Sequence, residues 1–149
     1  MIMKNQSGYA DPTAGMAISN VMREYKDARK KEWARKYDIR SRPKVYAVSP
    51  YAGDIDKHVK EAIALCRYII AQGKMCVASH LMYPAILEDS DPAERELGLL
   101  FGLELLAVCD EVYVLSDSPN DISSGMAGEI HEAKRLKKPI KYIRREDVL

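Results

Sequence analysis

Apolar positions along the chain first recur with helical spacing, then alternate between short β-branched runs and longer helical stretches. Between Pro12 and about Tyr37, Ala14, Ile18, Val21, Met22, Tyr25 and Ala28 fall on one side of a helix, with Trp33 and Tyr37 further along. Arg23, Lys26, Arg29, Lys30, Lys31, Arg35 and Lys36 occupy the other side. The pattern predicts an amphipathic helix of roughly 25 residues. Asp11 is its expected N-cap and Pro12 its first helical position. Residues 1–10 read as a flexible lead, and Ile39–Pro43 as a linker.

From Lys44 onward strands and helices alternate. Lys44–Ser49, Met75–Ala78, Glu111–Leu115 and Ile140–Ile143 read as strands. Ile55–Gln72, closed by Gly73, and Pro92–Cys109 and Ser124–Lys137 read as helices. Strands separated by helices imply parallel crossovers, so the expected fold is α/β: a Rossmann-like open parallel sheet of about four strands flanked by helices, preceded by the long amphipathic helix. The expected division is a helical extension over 1–43 and an α/β domain over 44–149. Ligands of such sheets bind beyond the carboxyl ends of the strands. That singles out the loops Ser49–Asp54, Ser79–Asp91 and Ser116–Gly125.

Composition adds a charge asymmetry. The 149 residues carry a net charge of +1, yet residues 1–44 hold 11 Lys/Arg against 5 Asp/Glu, and the remainder holds 12 against 17. A basic extension (+6) is thus joined to an acidic body (−5). The basic face reads as a solvated surface rather than a nucleic-acid surface, because no aromatic residues interleave it. No apolar run approaches the ~18–20 residues of a membrane span. The opening MIMKNQSGYADP has no signal-peptide core. Cys66, Cys76 and Cys109 are odd in number and form no CxxC pair, which argues against a disulfide framework or zinc knuckle and favours a reducing cytoplasm.

The first loop, SPYAGD, supplies Ser49, Pro50, Tyr51, Gly53 and Asp54 ahead of a helix whose free N–H groups suit an anion. Gly53 permits close approach of a ligand, and Tyr51 offers a face for stacking on a base. In the third loop Ser123, Gly125 and Glu129 form the pattern S-x-G-x-x-x-E at a helix start, with Ser124 and Met126 between them. Ser123 is an N-cap whose hydroxyl is also placed to hold a phosphate oxygen. For Glu129 two readings stay open: a nucleophile one turn into the helix, or a solvated residue paired with Lys134 or Arg135. His80 and Arg95 can each reach the same edge as hydrogen-bond donor and anion clamp. The three histidines form no metal-ligand spacing, and Glu88–Asp91 lacks the pattern of a calcium loop, so neither metal nor cofactor is expected. Dinucleotide and Walker fingerprints are missing from the chain.

KVYAVSPYAGD, the SHL loop, CDEVYVL and SSGMAGEIHEA, in that order over about residues 44–143, resemble the nucleoside 2-deoxyribosyltransferase-like superfamily, closest to a branch found in bacteria and their phages. The resemblance implies a nucleotide or nucleoside ligand, a homo-oligomer, here expected to assemble through the N-terminal helix and the domain, Glu129 as the nucleophile on C1′ of deoxyribose, and Tyr46 as the tyrosine that orients it. Transferases of the superfamily carry Asp six residues before the glutamate. The related deoxynucleoside 5′-monophosphate N-glycosidases carry Ser there, as Ser123 does here. One departure is marked. The superfamily's proton-donating aspartate on the helix before the third strand aligns with Gly102, leaving Glu104, Asp89 or His80 as stand-ins. General acid help of this kind is typically worth about 10²- to 10⁴-fold. The alternative is therefore a module that binds or sequesters a nucleotide or nucleotide-derived signal without cleaving it, in a phage-encoded setting.

Overall fold

The computed structural model describes residues 12–149. The lead over residues 1–10 and the Asp11 cap lie outside the described residues. The chain divides into two compact units between Ser41 and Arg42. The first contains helix α1, Pro12–Ser41. It extends through Ile39–Ser41, where a linker was expected, because nothing in that stretch opposes helical geometry and Ser41 Oγ bonds the Asp38 carbonyl at 2.9 Å. Pro43 then disfavours the helical conformation at Arg42 and ends the run.

The second unit is the α/β body. Strands β1 (Lys44–Val48), β2 (Met75–Val77), β3 (Glu111–Leu115) and β4 (Ile140–Ile143) form one sheet in the order β2-β1-β3-β4, with every pairing parallel. Helices α2 (Ile55–Ala71), α3 (Pro92–Ala107) and α4 (Ser124–Arg135) connect them in turn. This is the expected Rossmann-like open parallel sheet. From β1 the chain crosses to β2 on one side, then returns past it to β3 on the other. Strand order therefore reverses at the β1–β3 boundary, where such sheets open a crevice.

The central strands β1 and β3 are buried on both faces, as inner parallel strands must be, while the edge strands β2 and β4 are partly exposed. Alternate residues serve two cores. Tyr46, Val48, Val112 and Val114 pack with Leu106 of α3 and Met126, Ile130 and Ala133 of α4. Val45, Ala47, Tyr113, Leu115 and Ile143 pack with Leu65 and Ile69 of α2. Local signals set the helix ends. Asp54 caps α2 by accepting from the Lys57 N–H, Asp91 caps α3 ahead of Pro92, and Ser123 caps α4 by accepting from the Met126 N–H. Gly73, at φ +77°, closes α2: its N–H bonds the Ile70 carbonyl and that of Lys74 bonds Ile69, the paired bonds of a left-handed helix stop. No helix among the described residues is long and apolar enough to cross a membrane.

Candidate functional site

A cleft of about 400 Å³ lies at the carboxyl ends of β1 and β2, between the loops after them and helices α3 and α4. Ser49 and Tyr51 enter from the β1 loop, Ser79, His80, Tyr83 and Asp89 from the β2 loop, Glu94 and Arg95 from the first turn of α3, and Ser123–Met126 with Glu129 from α4. Eight of the binding candidates named from sequence thus share one cleft with Glu129: Ser49, Tyr51, His80, Arg95, Ser123, Ser124, Gly125 and Met126. Pro50, Gly53 and Asp54 do not line it. Gly53 serves the turn through its left-handed φ of +93°, and Asp54 spends its side chain on capping α2. A second, more open hollow of about 710 Å³ uses the other side of α4, through Ala127, Ile130, His131 and Lys134, and contains none of the chemistry below.

Glu129 sits one turn inside α4 on the cleft side. Its Oε2 is buried and has no hydrogen-bond partner. Burial pushes its carboxyl up to about 7, and the Tyr46 hydroxyl partly opposes that rise. Neither Lys134 nor Arg135 bonds Glu129 Oε2, and Arg135 instead grips Glu132 with Nε at 2.9 Å and Nη2 at 2.5 Å. Tyr46 is fully buried beneath the cleft on β1. Burial and the neighbouring Glu129 charge both raise its phenol, keeping it protonated. Its hydroxyl lies 2.6 Å from Ser79 Oγ, a partner that sequence reasoning missed although Ser79 adjoins His80 in the ASHL loop.

His80 and Ser49 form a second polar pair, Nε2 to Oγ at 2.7 Å. Burial lowers the imidazole to about 4, so it is neutral at physiological pH and can act as donor or acceptor by tautomer. Gly102 of α3 packs directly on the first pair: a Cβ there would stand 3.0 Å from Ser79 Oγ and 3.1 Å from the Tyr46 hydroxyl. The space an acidic side chain would need is occupied. Of the expected stand-ins, Asp89 and His80 line the cleft and Glu104 does not. Glu94, a carboxyl that sequence reasoning overlooked, also lines it while accepting from the Glu88 N–H at 3.1 Å. Among the described residues no group of three or more His, Cys, Asp or Glu side chains is placed to hold a metal ion.

Comparison with solved structures finds a 2-deoxyribosyltransferase from the psychrotolerant bacterium Bacillus psychrosaccharolyticus, described as a biocatalyst for the synthesis of antiviral and antitumoral nucleosides. The likeness has a TM-score of 0.56 at 19% identity, over 68% of this chain and 72% of that one. At this identity it speaks for the fold. A search of curated proteins finds no match. The sheet, the cleft at the carboxyl ends of β1 and β2 and the loops around it fall within residues 43–143, which match the family model described as a domain of unknown function, DUF7768, and the chain belongs to that family.

Proposed function

We propose that the protein cleaves or exchanges the base–sugar bond of a deoxynucleotide through Glu129. The observation that carries this reading is the Glu129 carboxylate itself: it lines the cleft, stands against the Tyr46 hydroxyl, and keeps one buried oxygen free of any partner. A buried polar atom without a partner costs free energy, and a site that retains one has a use for it. Here the free oxygen attacks C1′ as the base departs, through a transition state of oxocarbenium character. The N–H groups at the start of α4, with Ser123, hold the 5′-phosphate, and Arg95 adds positive charge at the rim. Asp89 and Glu94 are the remaining carboxyl groups near the departing base. Water then resolves the glycosyl-enzyme in a hydrolase, and a second base does so in a transferase. The resemblance to 2-deoxyribosyltransferases supports the substrate class.

Chromatographic detection of free base from a panel of deoxynucleoside 5′-monophosphates tests the proposal, with wild type and Glu129→Gln in parallel. Base release that the substitution abolishes supports it. Equal release by both, or none by either, overturns it.

Gly102 favours a second reading, a nucleotide-binding module without turnover, since the Tyr46–Ser79 pair fills the place of a proton donor. In that case calorimetry detects nucleotide binding and the bound nucleotide is recovered intact. Under either reading the protein works as a homo-oligomer. The exposed Leu97, Leu100 and Phe101 of α3 support that, and light scattering at defined concentration tests it.

A further inference from the structure

Two of the three cysteines meet on the face of the sheet opposite Tyr46. Cys66 lies on α2 and Cys76 in the middle of β2, ten residues apart in sequence. Their sulfurs are 2.8 Å apart, with the Cys76 thiol donating to the Cys66 sulfur. Both are free and half-buried, packed at the edge of the core formed by Leu65, Ile69 and Val45. A disulfide needs about 2.05 Å between sulfurs, so the pair is already most of the way there. β2 is an edge strand hydrogen-bonded to β1 alone, so it can shift slightly toward α2 without dragging a second neighbour. Cys109, by contrast, is buried in the other core, where burial pushes its thiol up to about 11.

We propose that Cys66 and Cys76 form a dithiol modification site that a hydroperoxide converts to an intramolecular disulfide. The hydrogen bond from Cys76 favours the thiolate of Cys66 and makes it the attacking sulfur. With hydrogen peroxide, the Cys66 thiolate attacks one oxygen. The O–O bond breaks, an S–O bond forms, and the departing hydroxide takes a proton as water. The Cys76 sulfur then attacks the sulfenic sulfur, the S–S bond forms, the S–O bond breaks, and a second water leaves with the Cys76 proton. Two thiols lose two electrons and the peroxide gains them. The site is independent of the proposed catalysis, but β2 runs from Cys76 through Val77 and Ala78 into Ser79 and His80. Cross-linking therefore ties to α2 the strand that delivers Ser79 and His80, one member of each polar pair of the cleft.

The test uses the full chain, treated with a few equivalents of hydrogen peroxide, alkylated under denaturing conditions, digested and weighed. The expected product is a Cys66–Cys76 linked peptide, lighter by two hydrogens, in monomeric chain and reversed by a dithiol reductant, with Cys109 still alkylated. Cys76→Ser is expected to leave Cys66 as a sulfenic acid that a dimedone probe labels, and Cys66→Ser to leave Cys76 unlabelled. Full alkylation of both cysteines after peroxide, oxidation of either to sulfinic acid without a cross-link, or linkage only between chains overturns the proposal. The wild-type measurement stands alone if a variant fails to fold.

Discussion

The Tyr46 hydroxyl and Ser79 Oγ lie 2.6 Å apart in the floor of the cleft, and Gly102 is the residue that leaves them room. A methyl group at 102 stands 3.0 and 3.1 Å from the two oxygens, so they must give by a few tenths of an ångström, and their hydrogen bond to each other at 2.6 Å opposes that. Overpacking of this kind costs about 1–3 kcal/mol. Gly102→Ala is expected to lower stability by that amount in urea denaturation, and Gly102→Asp by more, since it also buries a charge. A Gly102→Asp protein as stable as wild type overturns this account of the missing acid.

Tyr46→Phe tests the same floor from the other side. Burial raises the Glu129 carboxyl to about 7, and the Tyr46 hydroxyl holds it from rising further. Without the hydroxyl the carboxyl climbs. Titration of the Glu129 carboxyl by carbon NMR is expected to move to higher pH. If the protein turns over, the acid limb of kcat/KM moves with it, because that limb reports the free enzyme's essential carboxylate. An unmoved titration rules out the contact.

The alternation of elements was legible in the sequence because turn and cap residues punctuate it: Asp54, Gly73, the Asp91–Pro92 step and Ser123 each stop or start a helix where expected. Ser123 and His80 are legible as candidates because topology places loops after strands on one edge, whereas Glu129, inside α4, rests on the family resemblance, since spacing alone leaves its solvated reading open. What could not be read was anything decided by packing across the sheet. Ser79 became a partner of Tyr46 only once β2 paired with β1, which sets Val77 opposite Tyr46. Gly53 and Gly102 have different structural grounds: the first its left-handed φ of +93°, the second the Tyr46 and Ser79 oxygens packed against it. The end of α1 is not legible from the pattern of apolar positions because Ile39–Ser41 has no breaker of its own, and the stop belongs to Pro43.

Glu129 and His80 should impose opposing pH dependences on stability. Glu129 moves from its ordinary 4.5 up to about 7, so the folded state binds more protons between those values and stability falls as pH rises through them. His80 moves from 6.5 down to about 4, so the unfolded state binds more protons over that window and stability rises with pH. The two slopes offset each other between pH 4.5 and 6.5. Glu129→Gln is expected to stabilise the protein at pH 8 by roughly 3 kcal/mol, with no gain at pH 4. His80→Gln is expected to steepen the remaining fall with pH. Thermal melts across pH 4–8 decide it, and parallel curves for all three proteins would falsify the assignment.

Arg145 holds the C-terminal turn against the body through Glu61 at 3.1 Å, Asp117 at 3.1 Å and Asp121. These contacts are unequal. The Glu61 side chain is 4% exposed and that of Asp117 is 48% exposed. Removing Arg145 leaves Glu61 buried, with Lys57 at 3.9 Å and His58 at 3.7 Å as its remaining ion-pair neighbours. Breaking a buried pair costs about 3–5 kcal/mol, and an exposed pair is worth about 0–1 kcal/mol. Arg145→Met should therefore be severe and Asp117→Asn mild. Adding Glu61→Met to the former should restore most of the loss, since the stranded charge is gone. Equal effects from Asp117→Asn and Arg145→Met in equilibrium denaturation would mean that burial does not set the order.

Ser123 separates structural capping from phosphate binding. Its Oγ accepts from the Met126 N–H at 3.3 Å, a long cap that leaves the hydroxyl able to donate toward the cleft it lines. Ser123→Ala removes the cap at a cost of about 1 kcal/mol and removes the donor as well. Ser123→Asp keeps the cap, because a carboxylate accepts the same N–H and suits the positive end of α4. It also sets a negative charge where the proposed 5′-phosphate rests. Calorimetric titration with a deoxynucleoside and its 5′-monophosphate distinguishes the two roles. If Ser123 serves the phosphate, Ser123→Asp melts like wild type, binds the monophosphate at least about tenfold more weakly, a loss of ~1.4 kcal/mol, and binds the nucleoside as before. If Ser123 is a cap and nothing more, the Asp variant binds both ligands as wild type does, and the phosphate must be held elsewhere on the rim, with Arg95 the next residue to substitute.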